Sequence, residues 1–423
     1  MTTNSQSMAL KPTNFYFIGS SVLLVLIMLL GLTPFQALAS HNTSKDTDSS
    51  SADYKDKVSV WIPWWSDTEG LKSATKNIKK IDAVHPFVFE VGGMEADIVD
   101  KANLNERQWK NFLRLARKND VEVIPTIAWF DGAQIDYILS DKKRRAEHIE
   151  KIVDMVDDGR FDGVNIDYEQ KLAKNIDDFS VFLKELNKAL GKKTLTCAIE
   201  ARTPADSRYK EIPVPLTYAN DYSEINKYCD RIELMTYDQQ RDDLKLNAKR
   251  LGYPYMPVAD KEWVEKVLEN ALKDFDEDKV SVGVATYGRA WDITVAPEWF
   301  RDYNKVATLN QPRIKELSED IYKAPIGRSA GGEAVMSYFP EDSIFKVLNA
   351  LPVPEGTPTG MEAAAKALLF ANATEMEVPV RFITYNDAKS AEDKLALVKK
   401  YGLYGVAVFK VDGEEDPDLW KLF

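Results

Sequence analysis

Two hydrophobic rhythms take turns along the chain from residue 57 to the C-terminus. Short runs that are apolar throughout, or apolar at every second position, have the period of a strand. Between them lie stretches with apolar residues at i, i+3, i+4 and i+7, the stripe of a helix packed on one face. Trp109, Phe112, Leu113 and Ala116 show the helical pattern, and Trp263, Val264, Val267, Leu268 and Ala271 repeat it. Strands are expected near residues 58–62, 85–91, 121–129, 161–169, 194–200, 231–237, 280–285 and 405–411. Helices fall between them, the last at 388–401. The alternation breaks only at residues 290–380, where Pro and Gly clusters interrupt any βα unit. Strands separated by helices in this order specify an α/β fold, a (β/α)8 TIM barrel, with a subdomain inserted between strands 7 and 8.

The N-terminal part does not follow the rhythm. Residues 1–39 hold one charge, Lys11, an apolar run over 15–32, and the small-residue segment Ala37-Leu38-Ala39. That is the pattern of a cleaved signal peptide; an uncleaved membrane anchor is the alternative, since the run is long enough to span a bilayer. Residues 40–56 are rich in Ser, Thr, Asp and Lys and are expected to be a flexible linker. The expectation is therefore a monomeric barrel over 57–423, secreted or at the cell surface.

A net charge of −12 argues against nucleic acid and other polyanions as partners and is indifferent to a neutral glycan. The histidines are His41, His85 and His148, one in the linker and one in a helical charge run, so neither a metal nor a cofactor is expected. Cys197 lies within a predicted strand and Cys229 two residues ahead of the next. In-register parallel neighbours would hold them several residues apart along the sheet, so a disulfide is not expected.

Residues 161–169 read Phe-Asp-Gly-Val-Asn-Ile-Asp-Tyr-Glu. Val164, Ile166 and Tyr168 share one parity and Asn165, Asp167 and Glu169 the other, so the three polar groups project from one face of a strand. Sharing that face, Asn165 is expected to hydrogen-bond Asp167. A buried unpaired carboxyl is expensive, so two in a row on an inward face indicate chemistry. An edge strand with its polar face in water is the bland alternative. Asp162-Gly163 before the stretch and the helix-like run from Gln170 favour an interior strand that feeds a functional loop.

Asp162, Gly163, Asn165, Asp167 and Glu169 fit the pattern D-G-x-[DN]-x-D-x-E, and the stretch resembles the signature of glycoside hydrolase family 18, the chitinases and related N-acetylglucosaminidases. Members often carry an α+β insertion between strands 7 and 8. The resemblance implies that Glu169 is the acid that protonates the leaving oxygen. It also implies that the nucleophile is the substrate's own 2-acetamido oxygen, in place of a second carboxylate. Asp167 would orient that acetamide, and its charge would raise the pKa of Glu169. Met235-Thr236-Tyr237-Asp238 resembles the family's M-x-Y-D motif, which implies that Tyr237 holds the acetamide and Asp238 the sugar. Residues 283–289, ending Tyr287-Gly288-Arg289, resemble the strand-seven segment. Residues 405–409 with 413–416 and Trp420 resemble the last strand of the bacterial spore-type branch.

Active sites of such barrels lie at the C-terminal ends of the strands. Those ends carry Trp64, Trp65, Glu90, Trp129, Glu200, Arg202, Tyr287, Arg289 and Phe409 besides the motif residues. Catalysis is thus expected from Glu169, Asp167 and Tyr237. Binding of an N-acetylglucosamine polysaccharide is expected from Asn165, Met235, Asp238, Trp64, Trp129, Tyr287, Arg289 and Phe409. Three departures stand out: Asn165 replaces a middle Asp, Phe409 a Trp, and Thr126-Ile127-Ala128-Trp129 an S-x-G-G segment. A silent lectin of the same fold is the alternative function, although such proteins usually lose the motif's final Glu, and Glu169 is present. Gly327-Arg328-Ser329-Ala330-Gly331 matches a nucleophile elbow in letters only; Pro325 precedes it and no histidine follows it, so a loop is expected.

Overall fold

The structure, a computed structural model, describes residues 57–423; the expected leader and linker lie outside the described residues. Strands and helices alternate as β1 (Lys57–Pro63), α1 (Asp67–Lys76), β2 (Ala83–Gly92), α2 (Arg107–Lys118), β3 (Thr126–Trp129), α3 (Lys142–Gly159) and β4 (Gly163–Tyr168). They continue as α4 (Ile176–Leu190), β5 (Thr194–Glu200), α5 (Tyr222–Tyr228), β6 (Arg231–Met235), α6 (Lys261–Ala271) and β7 (Val280–Ala285). The insertion then supplies β8 (Tyr287–Ala296), β9 (Trp299–Asn310), β10 (Ala334–Tyr338), α7 (Glu362–Thr374) and β11 (Val378–Tyr385). α8 (Ala388–Tyr401) and β12 (Gly405–Phe409) return to the barrel.

β1 to β7 and β12 pair in parallel, and β1 closes the ring by bonding both β2 and β12. The outward residues of each strand meet the helical stripes in one continuous apolar layer that includes Trp109, Phe112, Phe179, Phe182, Leu186, Trp263 and Leu268. The inward faces are unlike this layer. Trp61, Phe87, Ala128, Ala198 and Ala407 fill the upper interior, and polar side chains fill the lower. The insertion is an antiparallel sheet in the order β9-β8-β11-β10, ended by the short strand Gly327–Arg328, with α7 on one face. It begins two residues beyond β7, so the first residues of β8 stand at the barrel's C-terminal rim. Ser329 sits in the turn of the last hairpin, its N–H bonded to Glu333 O at 2.8 Å, and is no nucleophile elbow.

The expectation for the cysteines is overturned. Cys197 and Cys229 form a disulfide with a Cα–Cα distance of 6.1 Å. Cys229 does not extend the line of β6; it caps the C-terminus of α5, which lies over the outer face of β5. Asp230 then locks the turn, its N–H donating to Leu195 O and its Oδ2 accepting from Leu195 N. This brings Cys229 beside the outward-facing Cys197. The bridge closes a loop of sequence separation 32, and replacing both cysteines by serine should lower unfolding stability by about 2–4 kcal/mol, read by urea denaturation. Equal midpoints for both proteins would show that the bridge adds nothing.

Candidate active site

β4 presents Asn165 and Asp167 to the interior, and Glu169 follows where the strand ends. Asp167 lies opposite Ala128 on β3, and the β4–β5 register, Ile166 opposite Cys197, brings Ala198 to its other side. Two methyl groups as neighbours leave open space above the carboxyl. Asp167 is buried, and its Oδ1 has no hydrogen-bond partner among the described residues. Burial pushes its pKa well above the ordinary range, and the carboxylates of Glu169 and Glu200 push the same way. Glu169 is held by its backbone, the N–H donating to Trp129 O at 2.9 Å. Its pKa is raised by burial first, then by Glu200 and Asp238, with Lys171 opposing. The carboxyls thus resist joint ionisation, the condition for one to keep a proton while the other is charged.

Tyr237 follows β6, and burial raises its phenol above the usual range. Gly283 on β7 makes room for the ring: a Cβ there would lie 2.9 Å from Tyr237 Cε1 and 2.6 Å from Leu234 O. Asp238 is clamped from the insertion. Tyr287 Oη donates to its Oδ2 at 3.0 Å, and Arg289 Nη2 reaches Oδ1 and Oδ2 at 2.7 and 2.8 Å.

These groups share a cleft of about 460 Å³. Its floor is aromatic. Phe409 stacks on Tyr237 at 5.8 Å and meets Trp61, Phe87 and Tyr287 edge-on at 5.9, 6.0 and 6.4 Å. Trp65 and Phe130 rise at the rim, 46% and 42% exposed, and Glu90, Arg289 and Lys410 supply charge. Glu90 owes its place to a bulge in β2, where Phe87 to Phe89 on β2 spans only Thr126 to Ile127 on β3. A larger depression of about 530 Å³, on the outer side between α2 and α3, contains none of these groups.

The model of Glycosyl hydrolases family 18 matches residues 60–414. The chain belongs to this family. It is 22% identical over 362 residues to "Uncharacterized glycosylase YvbX" of Bacillus subtilis, covering 84% of this chain and 87% of that one. Chitinase A1 of Niallia circulans is 23% identical over 377 residues, 85% of this chain and 50% of that protein. The Bacillus megaterium spore cortex-lytic enzyme SleL has the same fold, with a TM-score of 0.63 at 20% identity over 87% of this chain and 73% of that one. The protein is a glycoside hydrolase.

Against this family-18 site, three expected positions move. Trp129 is not in the cleft. Thr126 and Ala128 face inward, so Trp129 turns outward, packing on His148 at 5.2 Å and Tyr168 at 5.1 Å and donating to Gln134 Oε1. The strand-end reading ignored parity, and the cleft aromatic is the next residue, Phe130. Trp64 stands behind the wall, where Nε1 donates to Glu90 Oε1 at 3.3 Å, and Trp65 faces the cleft. Trp61 is buried and also lines the floor. Its alternation with Ser59, whose hydroxyl donates to Glu233 in the interior, marks it as inward-facing.

Asn165 is the third. It does not bond Asp167. Its amide donates to Thr196 Oγ1 at 2.8 Å and Glu233 Oε2 at 2.7 Å, and its Oδ1 accepts from Thr126 Oγ1 at 3.0 Å. Side chains on adjacent strands are closer than i and i+2 neighbours on one strand, roughly 4.8 Å against 6–7 Å, and the lateral partners win. Glu233 also accepts from Ser59 and stands 2.5 Å from His85 Nε2. Asn165→Asp therefore sets a carboxyl against Glu233 and should destabilise the fold at neutral pH. The introduced acid has a folded pKa above its unfolded one. The deficit should thus be smallest below the unfolded pKa and grow as pH rises through the folded one. Urea unfolding at several pH values measures it, and a pH-independent deficit would contradict the coupling.

Proposed function

We propose that the protein is an exported, retaining glycosidase that cleaves β-1,4-linked N-acetylglucosamine glycans with the substrate's acetamide as nucleophile. The observation that carries the reading is Asp167: a buried carboxyl lining the cleft, with one oxygen unpartnered, beside a second acid whose pKa is raised. An acetamide N–H is the donor that Oδ1 lacks. Bonded there, the acetamide turns its carbonyl oxygen towards C1, and the Tyr237 hydroxyl holds the group from the floor.

The chemistry then balances with one acid. Glu169 gives its proton to the glycosidic oxygen as the C1–O bond breaks, and the acetamide oxygen bonds C1 from the opposite face. The oxazolinium ion so formed carries positive charge next to the Asp167 carboxyl, whose open Oδ1 accepts from its N–H. Water, deprotonated by the Glu169 carboxylate, attacks C1 and reopens the ring, so C1 keeps its β configuration. Asp238, fixed by Tyr287 and Arg289, is placed to accept from a sugar hydroxyl. The aromatic floor offers flat faces to sugar rings.

Three features support export and a cell-wall glycan. The Cys197–Cys229 bridge suits an oxidising compartment, as does the signal-like N-terminus. SleL, a neighbour in fold, is a spore cortex-lytic enzyme. Purified protein incubated with chitin oligomers and with peptidoglycan, followed by mass analysis, should release fragments ending in N-acetylglucosamine. Neither substrate being cut would refute the reading.

A further inference from the structure

Lys171 is a buried lysine. It follows the catalytic acid by two residues, its side chain is 0% exposed, and lysines are almost never fully buried unless paired. Its ammonium donates to Tyr168 O, lies 4.7 Å from the Phe179 ring and faces Glu200 Oε2 at 3.6 Å. Glu200 ends β5, and the Ile166–Cys197 register, continued by three residues, sets it laterally beside Glu169. Asn220 Nδ2 donates to the same Glu200 oxygen at 2.6 Å, and Arg202 fixes Asn220 through its carbonyl at 2.7 Å while stacking on Tyr218 and Tyr222. This scaffold holds one anion and one cation at the end of the β4 row.

Resting on the reading of Glu169 as the acid, we propose that Lys171 and Glu200 are positioning residues, an opposed charge pair that fixes the pH range over which Glu169 works. Other charged groups face the acid from every side. Asp167 comes from β4, and Asp238, held by Arg289, follows β6; Glu233 and Tyr237 reach Asp167 from β6. Lys410 lines the same cleft but is paired with Asp412. Among the described residues, Lys171 is the cation that opposes Glu200: it lowers the proton affinity of both Asp167 and Glu169 where Glu200 raises it. Glu200 is more than a third exposed, which weakens its field; burial of Lys171 keeps that cation's field strong.

The two charges make opposite predictions. A general acid must be protonated, so the basic limb of the kcat–pH profile follows Glu169. Glu200→Gln should move that limb to lower pH, and Lys171→Met to higher pH, with Lys171→Arg restoring the wild-type limb. The same shifts should appear without turnover in the ¹³C NMR titration of the Glu169 carboxyl, assigned by its loss in Glu169→Gln. Superimposable titrations, or both variants moving in one direction, would overturn the proposal. Should Lys171→Met fail to fold, Glu200→Gln with its half-exposed side chain still decides. Activity persisting in Glu169→Gln would refute the assigned acid and leave the NMR result standing as a separate answer.

Discussion

Glu169→Gln should reduce kcat by on the order of 10²–10⁴ while the fold and glycan affinity persist. The amide keeps the shape of the side chain and its place at the end of β4, where the backbone N–H is bonded to Trp129 O. It has no proton to give the leaving oxygen. Since the raised pKa of Glu169 stems first from burial, removing the ionisable group should also relieve a strain on the native state at neutral pH. The sign follows from linkage. A carboxyl whose folded pKa lies above its unfolded one loses stability as pH rises through the folded value. The variant should therefore unfold no more easily than the wild type above that range. Steady-state kinetics on a chitin oligomer, with isothermal titration for affinity, separate the two effects. A variant with wild-type kcat would remove Glu169 from the mechanism.

What the sequence made legible follows from period and parity. Strands with strong alternation, β4 above all, announced both their existence and the face on which Asp167 and Glu169 lie. The helical stripes of α2 and α6 are the buried faces they promised. Errors arose where one residue's direction depended on its neighbours in space. Trp129 has the right element and the wrong parity. Asn165 has the right face, but its hydrogen bonds run across strands to Thr196 and Glu233, a link between residues far apart in sequence. Cys229 was placed by the line of a strand when a helix end carries it. In each case the missing information was the lateral arrangement of the ring, which local periodicity does not encode.

A glucan lacking the 2-acetamido group should not be cleaved at a rate comparable to the N-acetylglucosamine polymer. The cleft contains a candidate acid, and the carboxyl nearest to it on the strand, Asp167, is a buried group in the lining of that cleft, between two alanines. A direct protein nucleophile would need its oxygen close to C1. Asp167 is instead placed to receive a hydrogen bond, its Oδ1 open, and the flanking Ala128 and Ala198 leave the space for the group that donates it. Without the acetamide, the donor, the nucleophile and the carrier of the positive charge all vanish together. Well-oriented intramolecular nucleophiles act at effective molarities of roughly 10⁵–10⁸ M, so the loss should exceed that of the acid alone. The same mechanism fixes stereochemistry, because two displacements at C1 return the β configuration. Early-time proton NMR of the new reducing end should show the β anomer first, before mutarotation. An initial α product, or a β-glucan cut as fast as the chitin oligomer, would exclude the acetamide as nucleophile and reassign Asp167.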